Sequence, residues 1–203
     1  MDILVGAAKL IAEHGFDATS VRDILRAADV KIGALYYHFP TKDDIALAIV
    51  TEGFTMTVGD DPVPRLQGIV DAAMALAHQT PLDPILRAAA RLATDQSKAE
   101  YFGRLWKAYM PRVIQLLSQA AERGELLPGV EPELAGKIWV SAYVGVDLMQ
   151  RREPHLLEAE IADMNRMFLR GIATPETLMI LDVAADRGAR VVQAAAVHEE
   201  NTR

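Results

Sequence analysis

Residues 19–42, Thr-Ser-Val-Arg-Asp-Ile-Leu-Arg-Ala-Ala-Asp-Val-Lys-Ile-Gly-Ala-Leu-Tyr-Tyr-His-Phe-Pro-Thr-Lys, decide the fold. Ser20 with Asp23 three residues on forms a variant capping box, so a helix starts there. Val21, Ile24, Leu25 and Ala28 recur at helical spacing and give it one apolar face. Asp29-Val30 make a tight turn, and a second short helix runs from Ile32 to His38. Leu35 and Phe39, four apart, pin that helix from behind. Gly33 and Ala34 leave its leading end thin, and Tyr36, Tyr37 and His38 cluster at its far end. Two short helices around such a turn are the pattern of a helix-turn-helix, whose second helix enters a DNA major groove.

Working outward, Asp2 caps a first helix with apolar positions Ile3, Leu4, Ala7, Ala8 and Ile11, ended by Gly15. Thr41 with Asp44 repeats the cap for a fourth helix over 41–57. Gly59-Asp60-Asp61-Pro62-Val63-Pro64 is the clearest boundary. Beyond it the spacing predicts helices over 65–79, 83–95 (Asp83 as cap, Pro84 at the first position), 99–123, 131–152 and 155–170. Gly171 closes that series, a last helix opens at Pro175, and 198–203 read as a disordered end. No strand pattern occurs. The expected fold is all-α: a three-helix DNA-binding head at 1–45, and a helical body at 58–203.

Composition sets the limits. The chain has 203 residues, 51% hydrophobic and 24% charged, with net charge −7 and no cysteine. No apolar run approaches the ~20 residues of a membrane span, and no export signal stands at the start, so a cytoplasmic protein is expected. Residues 1–51 carry five basic against seven acidic side chains, which is acidic for a DNA-reading head. His14, His38, His78, His155 and His198 are scattered without metal-ligand spacing, and no glycine-rich phosphate loop occurs. An enzyme, a metal site and a cofactor are therefore not expected.

Tyr36, Tyr37 and His38 offer donors to phosphate oxygens, Gly33 and Ala34 let the backbone approach the DNA, and Lys42 adds a charge. The plain alternative is core packing, strongest for Phe39. In the body, Leu105, Trp106, Tyr109, Val113, Leu116 and Leu117 share one helix side. Ile138, Trp139, Ala142, Tyr143, Val146 and Met149 share another. Large aromatics beside small residues leave room for a small, mostly apolar molecule, although each of these residues taken singly reads more readily as core.

Gly33-Ala34-Leu35-Tyr36-Tyr37-His38-Phe39-Pro40-Thr41-Lys42, preceded by Gly15-Phe16-x-Ala18-Thr19-Ser20-Val21-Arg22-Asp23-Ile24, resembles the TetR family of ligand-controlled transcriptional repressors. The resemblance covers about residues 3–50. It implies a homodimer that binds a pseudo-palindromic double-stranded operator and is released by a small effector, nucleoid-associated when bound. Thr19, Ser20, Lys31 and Ile32 join the implied DNA contacts. Two departures stand out. Lys31 occupies a position where the family carries Ser or Thr: it cannot cap the helix and instead reaches a phosphate or a guanine. Ile32, where the family is basic or polar, either touches a thymine methyl or is a lost contact. The sequence starts at Met1-Asp2-Ile3 without the basic arm usual in the family: either the arm is absent or the sequence begins late, and the departures imply weaker DNA binding with a shallower salt dependence.

Asp83-Pro84-Ile85-Leu86-Arg87-Ala88-x-x-Arg91-Leu92 is similar to the family's gamma-butyrolactone receptor branch, the signalling receptors of actinomycete antibiotic regulation. That resemblance implies a ligand contact for Trp106. Leu92, Tyr109, Met110, Trp139, Tyr143 and Val144 complete the candidate lining, with Val144 standing where the branch has Thr. The alternatives are a different effector class, or a family member without ligand or DNA competence that acts through protein partners. By order along the chain, 133–152 and 155–170 match the family's dimer interface. Leu156, Ile161, Met164, Met167 and Phe168 form an apolar stripe on the second.

Overall fold

The computed structural model describes residues 2–53, 64–95, 101 and 103–202. Among these there is no strand beyond an isolated antiparallel bridge, Leu126 to Ala173. The helices are α1 (Asp2–His14), α2 (Val21–Ala28), α3 (Ile32–His38), α4 (Lys42–Glu52), α5 (Arg65–Gln79) and α6 (Pro84–Ala93). They continue as α7 (Arg104–Glu122), α8 (Pro132–Gln150), α9 (Leu157–Ile172), α10 (Pro175–Leu178) and α11 (Arg187–Thr202), with a 3-10 turn at Pro154–Leu156. The chain divides into two compact units, Met1–Thr55 with Thr80–Ala108, and Met56–Gln79 with Tyr109–Arg203.

In the first unit the expected caps form. Ser20 accepts from the Asp23 amide, and Asp29 ends α2 in the left-handed region at φ 51°. Thr41 and Asp44 make a reciprocal capping box at α4. Ile3, Ala7, Ala8, Ile11, Phe16, Ile24, Leu35, Ile45 and Ile49 form a core that Ala88, Ala89, Leu92 and Tyr101 join. A Cβ on Gly6 would sit 3.1 Å from the Ala28 amide nitrogen, so α1 and α2 pack almost backbone to backbone. Arg91 on α6 donates to the Ala12 and Glu13 carbonyls at 2.9 and 3.2 Å, supplying partners that the end of α1 lacks. These contacts are why residues 80–108 group with the head. The sequence division at residue 58 had left them with the body.

In the second unit α5 is buried on most sides. The Glu125 carboxylate accepts from the Arg65 and Leu66 amides at 2.9 and 3.0 Å and so caps the positive end of α5. Arg187 grips Asp71 with two 2.7 Å bonds. A Cβ on Gly188 would fall 2.1 Å from the Met74 carbonyl oxygen, so α11 lies directly on α5.

Several boundary expectations change. Gly171 does not stop α9, which continues to Ile172, because Gly171 is not among the glycines with positive φ. Pro175 opens only a single turn, and the last helix begins at Arg187. Residues 198–202, read as disordered, continue α11. The helix expected over 83–95 ends at Ala93 with Thr94 as its cap. The expected helical residues 54–57, 99, 100 and 102, and most of the 59–64 boundary, lie outside the described residues; the helix expected from 99 starts at Arg104, with Tyr101 and Gly103 in turns before it.

Candidate nucleic-acid interface and effector-lining residues

Leu35 is fully buried and fixes α3 to the head. Around it, Lys31, Ile32, Gly33, Ala34, Tyr36, Tyr37 and His38 are all exposed. Tyr37 is 84% exposed and Tyr36 48%, so neither belongs to the core, while Phe39 packs against it. A Cβ on Gly33 would meet nothing within 4 Å, which leaves the leading end of α3 open to a close approach. The Tyr37 and His38 rings stand edge to face at 5.1 Å. Lys31 occupies the cap position of α3 without a side-chain hydrogen bond, as its chemistry requires.

Three expected contacts have other employment. Thr19 is 2% exposed, and its hydroxyl donates to the Gly15 carbonyl at 2.8 Å. The Ser20 hydroxyl caps α2 and donates to Asp23 at 2.5 Å. That bond is the main cause holding the Asp23 carboxyl below its ordinary range. Lys42 Nζ donates to the Phe16 and Thr19 carbonyls at 2.9 and 3.0 Å. All three residues serve the head's own geometry.

The candidate effector residues divide between the units. Leu92 and Trp106 belong to the first. Leu92 is core, and the half-buried Trp106 has its indole nitrogen sealed from solvent with no hydrogen-bond partner. Tyr109, Met110, Trp139, Tyr143 and Val144 belong to the second. Tyr109, Trp139 and Tyr143 are buried; Met110 and Val144 are half-buried. Desolvation pushes the Tyr109 phenol up to about 12 and the Tyr143 phenol well above its ordinary value, so both keep their protons at neutral pH. Trp139 Nε1 donates to Asn165 Oδ1 at 3.0 Å. Asp147 and Asn165 were missed in the sequence, although Trp139, Tyr143 and Asp147 follow at four-residue spacing and so share one helix face.

Residues 3–49 match the sequence profile described as bacterial regulatory proteins, tetR family. That match covers the DNA-reading head and gives it the tetR pattern. The chain's relatives are transcriptional regulators, not enzymes. The chain is 29% identical over 177 residues to the A-factor receptor protein of Streptomyces griseus. The match takes in 85% of this chain and 63% of that relative. It is 28% identical over 156 residues to the HTH-type transcriptional repressor KstR2 of Mycobacterium tuberculosis, covering 69% of this chain and 78% of that protein. Among solved structures, full-length native TylP, a TetR regulator from Streptomyces fradiae, superposes with a TM-score of 0.81 at 28% identity. That superposition covers 96% of this chain and 95% of TylP. Among the described residues no helix is long and apolar enough to cross a membrane, and no group of three His, Asp or Glu could hold a metal ion.

Proposed function

We propose that the protein is an effector-controlled transcriptional repressor that binds a pseudo-palindromic operator as a homodimer. Its effector is a small, largely apolar molecule of the gamma-butyrolactone type. The observation that carries the reading is α3 itself: one buried leucine anchors it, and seven neighbouring residues stand free for DNA.

Dimerisation answers a second observation. Leu134, Ile138 and Leu148 are each more than half exposed on α8. With Ser141 and Gly145 they recur at spacings of four and three, the seam of a helix-helix interface. Met167 on α9 adds a 70% exposed side chain. Such a face is uncovered in one protomer and is satisfied by a second copy. Ile161, expected on this stripe, is fully buried within its own unit and does not contribute. A two-fold dimer presents two α3 helices to half-sites one helical turn, ~34 Å, or a multiple of it apart.

Effector control follows from what packs on the head. Leu92 and α6 are part of the head's own unit, and the Gly103 amide donates to the Ala93 carbonyl at 2.8 Å, joining the start of α7 to the end of α6. An effector that touches Leu92 or Trp106 therefore acts on elements that hold α1 and α4. Release requires only that it favour the non-binding arrangement by about 1–3 kcal/mol.

The test is a gel shift with the DNA upstream of the protein's own gene, with and without culture-medium extract from the producing organism. A specific shift abolished by extract is expected. A shift that extract leaves unchanged removes the effector half of the reading, and absence of any shift removes the DNA half.

A further inference from the structure

α3 exposes three large side chains in seven residues: Ile32, Tyr36 and Tyr37. The two tyrosines carry hydroxyls that water or a phosphate oxygen satisfies. Ile32 carries no polar atom in its side chain, yet it is 58% exposed. Helical period puts Ile32 and Tyr36 on one ridge, and Gly33 and Tyr37 on the next. Leu35, fully buried, anchors the helix from the side opposite that second ridge. A Cβ on Gly33 would meet nothing within 4 Å, so the flank of Ile32 is open to an approaching surface.

Ile32, Gly33 and Ala34 make up the first turn of α3, and none has a side-chain donor or acceptor. Through them the helix cannot form the two-pronged Arg, Asn or Gln pairs that identify guanine or adenine. What remains is apolar contact. The base edges in the major groove are donors and acceptors, and the one apolar group among them is the 5-methyl of thymine. Against any other base edge Ile32 would strip water from a polar atom and return no hydrogen bond, which is unfavourable. Against thymine its branched side chain and the methyl leave water together, which is favourable. Attraction to one base and a penalty at the other three act in the same direction.

We propose that Ile32 determines operator specificity by selecting a thymine in each half-site through contact with its 5-methyl group. This rests on the reading of the chain as a dimeric operator-binding repressor. It gives the departure at Ile32 a positive role; a lost contact would leave that base pair without preference.

The test begins with selection of duplexes by the full-length protein from a random DNA pool. Affinity for the enriched duplex is then measured by fluorescence anisotropy at fixed salt. Each thymine of the half-site is replaced in turn by deoxyuridine, which pairs as thymine does and lacks only the methyl. At one thymine the affinity is expected to fall about fourfold for one half-site and about fifteenfold when both are substituted. In Ile32→Ala the thymine-to-deoxyuridine ratio at that position is expected to drop below about twofold per half-site. Thermal melts confirm that this variant folds. A methyl effect carried by the stiffness of the DNA would survive in Ile32→Ala, and its survival overturns the proposal. So does a half-site in which no thymine responds to loss of its methyl. The two levels separate in the first step. Failure to enrich any sequence removes the DNA-binding reading and this proposal with it. An enriched palindrome without a methyl-sensitive thymine removes this proposal alone.

Discussion

The ammonium of Lys42 sits 4.0 Å above the ring of Phe16 and donates to the carbonyl of the same residue at 2.9 Å. The lysine that the sequence marks for a phosphate thus clasps the start of α4 to the loop between α1 and α2. Lys42→Met keeps the apolar stem and removes the charge. It is expected to cost about 1–2 kcal/mol of head stability, from the lost hydrogen bonds and cation-π contact. The salt dependence of operator binding should stay as it is, whereas a true phosphate contact would lower its slope by about 0.9. Denaturation curves and a salt titration of the gel shift read the two effects separately.

Lys31 is the converse case. It is exposed at the cap of α3, with no side-chain bond to the helix. Lys31→Thr places a side-chain acceptor at the cap position of α3, where Lys31 offers none, worth about 1 kcal/mol. The variant should melt higher than the natural chain. Its operator-binding slope against salt should fall by about 0.9, because the lost ammonium no longer displaces a counterion.

The head was legible because its signals are local. Caps three residues apart and a four-residue apolar pair fix α2, α3 and α4, and α3 begins and ends where the spacing places it. The rest depends on partners far along the chain. Arg187 and Asp71, 116 residues apart, decide where α11 lies, and no periodicity announces them. Arg91 looks like an ordinary solvent-facing arginine until it meets the end of α1. Gly171 resembles a helix stop, yet a glycine stops a helix only where the chain turns left-handed, and here it does not. The polar stripe on α8 was half visible: Trp139 and Tyr143 stood out as aromatics. Asp147 passed as a surface acid because sequence does not report which face a helix buries.

Arg187 and Asp71 also set a stability expectation. The Asp71 side chain is 11% exposed and that of Arg187 24%. Arg187→Ala leaves the carboxylate with only the Gln67 amide, and is expected to cost about 3 kcal/mol. Arg187→Lys restores charge without the two-pronged geometry and should recover less than half of it. Hydrogen exchange along α11 should accelerate in the alanine variant while α1 to α3 stay protected.

Ile138 is 52% exposed on α8, on the seam proposed for the dimer. Ile138→Glu should leave helix content and the protomer's melting within ordinary surface-mutation limits, about 0.5 kcal/mol. In a dimer it brings two carboxylates into a dry seam. If the natural chain is the dimer proposed above, sedimentation equilibrium should report the variant as a monomer, and operator affinity should fall by at least tenfold with it.

Two carboxyls should pull stability in opposite directions with pH. The hydrogen bond from Arg190 is the chief cause that lowers Asp182. Its ionised form is favoured by folding, so it contributes stability above the ordinary carboxylate range and loses it as acid protonates the folded state. Burial is the chief cause that raises Asp147, against the opposing pull of Arg151. Its neutral form is favoured by folding, so its contribution is complete in acid and is lost as pH rises from the ordinary carboxylate range through the raised folded value. Asp147→Asn should then be more stable than the natural chain at neutral pH, with the advantage shrinking to nothing in acid. Asp182→Asn should be less stable at neutral pH, with the deficit closing in acid. Urea midpoints measured from about pH 3 to pH 8 give both limbs in one series. A gain for Asp147→Asn that persisted unchanged into acid would mean that packing, not the buried charge, sets the energy of that stripe.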